Sequence, residues 1–248
     1  MCDLWRNTSE SPTPSGAIPR QIELALAALP ACLVLKLYNS GSFFDPRAVP
    51  RSDWREIARL GSQFERVIVE CHPRLVTGAA LEFAELLGTR LEIAMGLETV
   101  HEKALEGLNK RFVPRDFANA AAFLRGQGLA VRTFLLVHPP FLESGTELAW
   151  LEKSMRFAFE AGSEAISLIP LRHGNGAIEE LAREPGLAEL EEAHETGLNL
   201  RLGRVFADTW DLARFAKCQK CVKPRTERLA RMNLAQRVEP RVRCSGCA

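Results

Sequence analysis

Four cysteines near the carboxyl end have the spacing of a metal site. Cys218 and Cys221 form one C-x2-C pair, and Cys244 and Cys247 form a second. Each pair presents two thiolates from one tight turn, and two such turns can build a tetrahedral site of four sulfurs. The interval between the pairs slightly exceeds the about 15–20 residues of a zinc ribbon, and a helix over 226–236 accommodates it. Zn²⁺ is the first expectation, with an auxiliary iron–sulfur cluster, a disulfide pair or disorder as alternatives.

The segment around these cysteines is basic. Residues 214–248 hold ten Lys and Arg side chains against Glu227 and Glu239, although the net charge of the whole chain is only +1. The remainder of the chain is therefore acidic. A basic surface predicts a phosphate-rich partner, with tRNA or another RNA as the hypothesis. Phe215 is the one aromatic residue of this segment, which gives base stacking little support. The alternative is a solvated basic helix that packs on an acidic barrel.

The amino-terminal sequence predicts neither a secretory signal nor a membrane span. Its first residues have no basic stretch followed by an apolar one. The longest apolar run, 22–37, is short and interrupted by charged residues. We therefore expect a cytoplasmic protein with no membrane partner, and the sequence does not identify a partner protein. In that compartment cysteines serve as metal ligands or redox groups before they form disulfides.

Short apolar segments alternate with longer amphipathic ones along the chain. The predicted strands are 32–38, 66–70, 91–96, 131–137, 165–170 and, more weakly, 199–206. The predicted helices are 20–29, 52–63, 78–87, 100–107, 115–126, 147–161 and 177–195. This alternation predicts βαβ units and a parallel sheet covered by helices. No G-x-G-x-x-G follows the first strand, which favours an incomplete barrel over a dinucleotide-binding fold.

Polar and glycine-rich sequences follow successive predicted strands. Asn39, Ser40 and Ser42 come after the first strand, Glu70 ends the second, and Glu98 follows the third. In a barrel the carboxyl ends of the strands share one edge, which predicts one common site there. The alternative for the Asn and Ser residues is a simple turn. Glu98 can accept hydrogen bonds from ribose hydroxyls or an ammonium group, and its alternative is to cap the following helix.

Several short motifs together resemble the radical S-adenosylmethionine (SAM) enzymes. The opening MCDLWR resembles the end of the C-x3-C-x-Φ-C signature, in the branch where Asp-Leu-Trp follows the last cysteine. LYNSGSFFDP at 37–46, ECHP at 70–73, GLET at 96–99 and LVHPP at 136–140 match that branch in order and spacing. The resemblance is to elongator-type radical SAM proteins and to the radical SAM subunit of archaeosine synthase, and it covers roughly residues 1–215.

This resemblance implies a fold, two cofactors and a reaction. The fold is α/β, a partial (β/α)6 TIM-like barrel over 1–213 that lacks its first strand, followed by a four-cysteine module over 214–248. Cys2 would be the third thiolate of a [4Fe–4S] cluster whose remaining iron is chelated by SAM. The implied activity is cleavage of SAM to a 5′-deoxyadenosyl radical, with modification of tRNA or other RNA as the suggested outcome. No catalytic residue is assigned. The residues implied to bind SAM are Asn39, Ser40, Ser42, Glu70 and Glu98.

The chain departs from the signature in one respect. It holds Cys2 but neither of the two earlier cysteines, and one cysteine cannot hold the cluster. As it stands the chain is expected to be inactive in SAM cleavage, through a late start or through degeneration. One rival is a non-catalytic, zinc-containing nucleic-acid-binding protein built on a degenerate barrel. A TIM-barrel lyase or aldolase is a weaker rival, because it needs a strand-end lysine or metal-binding carboxylates, and Lys36 lies before its strand's end.

Overall fold

The computed structural model describes residues 11–39, 41–173, 181 and 183–246. Its centre is one sheet of six parallel strands that follow one another in chain order, flanked by helices. The predicted fold class, an α/β partial TIM-like barrel, is confirmed. The strands are β1 (Val34–Leu37), β2 (Arg66–Glu70), β3 (Arg90–Glu98), β4 (Ala130–Val137), β5 (Ala165–Pro170) and β6 (Arg204–Ala207).

Eight α-helices connect or follow these strands in the described part of the chain. None of them is long and apolar enough to cross a membrane. The α-helices are α1 (Ala17–Ala28), α2 (Trp54–Gly61), α3 (Ala79–Leu87), α4 (Glu102–Gly107), α5 (Pro114–Gly126), α6 (Glu147–Glu160), α7 (Leu187–Leu200) and α8 (Val222–Ala235). Short 3-10 helices lie at Arg51–Asp53, Pro73–Leu75 and Leu212–Phe215.

The predicted bounds are wrong mainly around α7. Among the described residues of the predicted helix over 177–195, the helix begins at Leu187, because Pro185 disfavours helical backbone at the residue before it and Gly186 is the N-cap. The Glu189 carboxylate accepts the Gly186 N–H at 2.6 Å and so stabilises this start. The helix then continues through Asn199, where a strand was predicted. It ends at Arg201, whose φ of 54° is left-handed.

The chain divides into two compact units. The amino-terminal unit comprises the described parts of Leu4–Gly96 together with Arg115–Arg132. The carboxyl-terminal unit comprises Leu97–Pro114 and the described residues from Thr133 onward. The boundary expected between 213 and 214 stays a prediction.

An aromatic cluster fixes the loop after β1 in the amino-terminal unit. Phe43 and Phe44 lie in the loop that follows β1, and their rings lie 4.7 and 6.4 Å from the ring of Phe83 on α3. Trp54 at the start of α2 closes the cluster, 5.9 Å from Phe44. All four side chains are buried, and aromatic pairs at these distances add to the free energy of burial. The Phe43 N–H also donates to the Glu70 carbonyl at 2.8 Å, which holds the loop against the end of β2.

A buried carboxylate sits on the sheet of the same unit. The Glu92 side chain on β3 is fully buried and accepts from Arg132 Nε at 2.5 Å and from Arg66. Burial acts to raise the pKa of Glu92, but the two guanidinium groups outweigh burial and hold that pKa below its usual range. Glu92 is therefore an ion-paired element of the sheet, and its removal would leave two arginines without their anion.

Side-chain amides cap the edge of β6 in the carboxyl-terminal unit. Asn233 on α8 accepts from the Ala207 N–H and donates to the Ala207 carbonyl, both at 2.8 Å. Gln236, just past the end of α8, makes the same pair of bonds with Val205 at 2.8 and 3.0 Å. Each amide supplies the donor and the acceptor that a neighbouring strand would supply. The β6 edge is thereby covered by α8 and its end.

Arg228 fixes α8 against α7. Its side chain is 0% exposed. It donates to Glu191 at 3.0 Å and to Glu195 at 2.7 Å. It also donates to the carbonyls of Glu239 and Pro240, at 3.1 and 2.9 Å from Nε. These contacts, called the Arg228 network below, join α7, α8 and the segment that returns toward Cys244.

Candidate functional site

Three of the residues predicted to bind SAM come together at the ends of β1 and β2. The Asn39 N–H donates to Glu70 Oε1 at 2.5 Å. Asn39 Nδ2 donates to the Ser42 carbonyl at 3.4 Å. Ser42 Oγ donates to Cys71 Sγ at 3.4 Å, at the edge of hydrogen-bond range. The parallel register of the two strands produces this meeting, because it aligns their carboxyl ends. Ser40 lies outside the described residues.

A groove of about 660 Å³ adjoins this cluster. Asn39 Oδ1 is buried there and finds no hydrogen-bond partner among the described residues. An orphaned buried acceptor is costly unless a ligand or water donates to it. The cluster can therefore bind a small polar molecule that carries N–H or O–H groups. The residues that line the groove nearest to the cluster are Tyr38, Asn39, Gly41, Ser42, Phe43 and Asp45.

Cys71, beside the cluster, stays a neutral thiol. Burial raises the pKa of Cys71 to about 11, and the hydrogen bond from Ser42 lowers it only in part. A thiol of this kind is a poor nucleophile at neutral pH. Its place is in the packing beneath the cluster.

Glu98 belongs to the carboxyl-terminal unit and is ion-paired. Its Oε1 lies 2.7 Å from Lys110 Nζ, and both side chains are largely buried. Its φ of 63° is left-handed, a strained conformation that recurs at functional positions. The capping alternative for Glu98 is wrong, because His101 Nδ1 accepts the Ala104 N–H at 3.1 Å and caps α4. No pattern in the sequence indicated Lys110 as the counter-ion.

Three of the four tail cysteines converge. The Sγ atoms of Cys218, Cys221 and Cys244 all lie within 4.8 Å of one another. Cys218 and Cys244 are 3.8 Å apart. Zinc–thiolate bonds of about 2.3 Å give a tetrahedron with sulfurs about 3.8 Å apart, so this spacing fits Zn²⁺. Cys221 is 4% exposed and the other two are half-buried. Cys247 lies outside the described residues.

Glycine at 246 permits the tight turn at this cluster. A Cβ at Gly246 would lie 3.3 Å from Cys218 Sγ and 3.7 Å from Cys244 Sγ. The backbone after Cys244 thus passes directly over the sulfurs. A larger side chain at this position would push against the atoms that would hold a metal.

His138, at the end of β4, lines a separate cavity of about 280 Å³. Its ring lies 3.5 Å from Glu189 and 4.0 Å from Glu147, and its φ of 61° is left-handed. Burial lowers the pKa of His138 more than these carboxylates raise it, so the ring is neutral at pH 7. The Glu189 pKa falls to about 2, chiefly through the hydrogen bond from Arg183. The cavity is polar and belongs to the carboxyl-terminal unit.

A group at the ends of β5 and β6 was missed from the sequence. Arg172 Nη2 donates to Asp208 Oδ2 at 2.8 Å and to the Trp210 carbonyl at 2.7 Å. Its guanidinium lies 5.0 Å from the Trp210 ring and 5.4 Å from the Phe215 ring. Trp210 itself is 68% exposed. A single tryptophan in a loop has no periodicity, and its place after a strand end was the one signal in the sequence.

Comparisons with known proteins agree with the resemblance drawn from the sequence. No family model matches the chain. Archaeosine synthase subunit beta of Thermococcus kodakarensis is 31% identical over 114 residues, which cover 44% of this chain and 35% of that protein. The chain matches between 33 and 41% of the length of its curated relatives.

Solved structures support the fold. The archaeal Methanocaldococcus infernus Elp3, with an amino-terminal deletion, superposes with a TM-score of 0.62 at 14% identity, over 92% of this chain and 60% of that one. Hydroxymethylglutaryl-CoA lyase of Pseudomonas aeruginosa gives a TM-score of 0.53 at 15% identity, over 90% and 69% of the two chains. The likeness to the lyase shows that the barrel alone does not fix the chemistry. The resemblance to archaeosine synthase is confirmed by the named relatives, and the likeness to the archaeal Elp3 shows the fold.

Proposed function

We propose, from the similarity to archaeosine synthase subunit beta and to archaeal Elp3, that this chain is the SAM-binding part of a radical SAM enzyme that acts on RNA. The observation that carries the proposal is the cluster of Asn39, Ser42 and Glu70 at adjoining strand ends. The buried Asn39 Oδ1 of this cluster has no hydrogen-bond partner among the described residues, and Asn39 lines a groove. The resemblance of the sequence motifs supports the reaction class, and the residues support the binding site.

The hydrogen-bonding atoms of this cluster suit the polar groups of SAM. Asn39 Oδ1 can accept from its ammonium or ribose hydroxyl groups, and the Ser42 hydroxyl lies close by. Glu70 holds the Asn39 backbone and places a negative charge at the groove, which favours a cationic ligand. Glu98 is proposed as a further SAM contact, with Lys110 neutralising it when SAM is absent. Ser40 is proposed as a contact on the strength of the resemblance alone.

Cys2 is proposed as one thiolate ligand of a [4Fe–4S] cluster, and it lies outside the described residues. When bound, such a cluster supplies the electron that cleaves SAM to the 5′-deoxyadenosyl radical. The part of the present residues is to bind SAM, orient it and exclude water at the strand ends. The expectation that this chain by itself does not cleave SAM stays a prediction.

Cys218, Cys221, Cys244 and Cys247 are proposed to hold a structural Zn²⁺ ion. The 3.8 Å separation of Cys218 and Cys244 supports zinc on geometry. Cys218 and Cys221 lie just before α8, and Cys244 lies after the segment that returns from it. A bound ion would therefore join the two ends of the four-cysteine module. A cytoplasmic location and the module boundary at 214 are part of the same proposal.

The test is the affinity of the full chain for SAM, measured by equilibrium dialysis. Glu70→Gln should weaken binding about tenfold or more, because a hydrogen bond to a charged group contributes about 1.5–3 kcal/mol. Glu65→Gln is the matched control, since Glu65 is exposed and precedes the opposite end of β2. Equal affinity of the two variants, or no SAM binding by the parent chain, would contradict the proposal. Retention of zinc and RNA binding without SAM binding would instead favour the non-catalytic rival.

A further inference from the structure

We infer that an exposed face of the carboxyl-terminal unit docks a single-stranded part of the RNA. This face, called the docking face, consists of Trp210, Lys217, Lys220, Lys223 and Arg243. The inference deepens the proposed function and rests on it for the kind of partner. What it adds is the place on the carboxyl-terminal unit where RNA binds.

Seven of the ten basic residues of the tail fall into two groups, and the first group holds α8 in place. Arg228 lies 2.7 Å from Glu195, and Arg241 lies 2.6 Å from the same carboxylate. Arg225 lies 2.9 Å from Glu191. For these three arginines the interpretation of a basic helix that packs on an acidic partner is correct. They are neutralised by α7 and contribute little to the outward potential.

The second group has no such partner. Lys217, Lys220, Lys223 and Arg243 are exposed and make no ion pair with any described residue. They alternate with the metal-site cysteines, so that every cysteine turn carries uncompensated positive charge. Exposed cations left without counter-ions are the sequence-independent part of a nucleic-acid site.

Two of these side chains are placed by the backbone around the cysteines. A Cβ added to Gly246 would lie 3.8 Å from Lys220 Cδ, so the Lys220 stem lies on the turn over the sulfurs. A Cβ added to Gly186 would lie 3.7 Å from Lys217 Cε, at the amino-terminal end of α7. Lys217 also lines a cavity of about 390 Å³ there, together with Phe215. Lys217 and Lys220 therefore both lie beside this cavity, which Gly186 and Gly246 also line.

Trp210 favours RNA over other polyanions. Its ring is 68% exposed and is supported by the Arg172 guanidinium at 5.0 Å. Arg172 is in turn fixed by Asp208 and reaches the Phe215 ring, which adjoins Lys217 along the cavity. An exposed aromatic ring beside a cationic groove is a stacking platform for an unpaired base. An acidic peptide or an anionic lipid surface has no base to stack.

The experiment measures fluorescence anisotropy of a labelled 12-nucleotide single-stranded RNA with the full, zinc-loaded chain. The triple variant K217Q/K220Q/K223Q should bind about tenfold more weakly. The slope of log affinity against log salt should also fall by about two, since each lost phosphate contact contributes about 0.7. The control triple R20Q/R55Q/R115Q removes the same charge from exposed arginines of the amino-terminal unit and should leave both quantities unchanged.

A second pair of variants tests stacking. Trp210→Ala should weaken binding about tenfold, whereas Trp210→Phe should retain most of the affinity. Poly-glutamate and phosphatidylserine vesicles of equal total charge should compete less well than unlabelled RNA. Equal losses in both triple variants, an unaffected Trp210→Ala variant, or equal competition by poly-glutamate or vesicles would each overturn the inference. SAM dialysis on the same samples separates the two ideas, because RNA docking can fail while SAM binding at Glu70 persists, and the reverse.

Discussion

Replacing Arg228 with methionine should release α8 from the edge of the sheet. The side chain is fully buried and donates to Glu191, Glu195 and the carbonyls of Glu239 and Pro240. Methionine has a similar length but no donors, so all four acceptors lose a partner. Removing one side of a buried ion pair costs about 3–5 kcal/mol.

We expect a cost at the lower end of that range, because each carboxylate still forms an ion pair with a second arginine. Glu191 remains 2.9 Å from Arg225, and Glu195 remains 2.6 Å from Arg241. We therefore expect a loss of about 3 kcal/mol, which corresponds to a local opening constant larger by about two orders of magnitude.

Amide hydrogen exchange measures the local opening of α8 directly. The Val205 and Ala207 N–H groups donate to the side chains of Gln236 and Asn233, so their protection reports whether α8 is docked. In Arg228→Met both amides should exchange about a hundredfold faster. The Cys71 N–H, which donates to the Ala94 carbonyl in the amino-terminal unit, should not change.

Arg231→Met is the matched control for this change. Arg231 lies on the same helix, is more than half exposed and is 3.8 Å from Glu239, so its replacement should cost no more than about 0.5 kcal/mol. Equal exchange rates at Val205 and Ala207 in the two variants would refute the claim that the Arg228 network holds α8.

Two further predictions concern pH and metal. His194 is fully buried, its Nε2 is 3.0 Å from the Val205 carbonyl, and burial lowers the pKa of His194 to about 4. A folded-state pKa below the unfolded value of about 6.5 means that stability is complete above pH 6.5 and is lost as pH falls toward 4, by about 2 kcal/mol at pH 5. Urea unfolding at pH 8 and pH 5 should show this loss, and a His194→Gln variant should show less of it. For the metal, Cys221→Ser should lower the zinc content measured by mass spectrometry to well below one ion per chain, whereas Cys32→Ser, at an exposed thiol, should leave it unchanged. A Cys221→Ser variant that retains a full equivalent of zinc would contradict the assignment.

The strands were predictable where burial alone decides the residue types. The bounds of β2 and β5 agree with prediction, since both are short apolar runs inside a sheet covered on its outer face. The region around α7 was not predictable in the same way. Asn199 and Leu200 fit a strand pattern as well as the last turn of a helix, and the left-handed Arg201 that ends the helix is not a residue type that signals such an end.

The sequence predicted the part of the candidate site that depends only on the parallel order of the strands. Parallel strands bring their carboxyl ends to one edge, so Asn39 and Glu70 could be expected to meet. The ion pair of Glu98 with Lys110 and the support of Trp210 by Arg172 depend on side-chain contacts between distant loops. No spacing rule in the sequence encodes such contacts. In the sequence, Asn233 and Gln236 likewise resemble ordinary surface residues, and only the structure shows that they bind the edge of β6.

The amide cap on β6 also bears on aggregation. A free strand edge is a template on which another chain can add its own strand, and covering the edge removes that template. Here the cover is two side chains on a helix that a buried arginine and a cysteine cluster hold in place. If the cysteine cluster binds the proposed Zn²⁺ ion, removal of that ion would loosen the cover and expose β6. Precipitation of the metal-free protein would then begin at this strand.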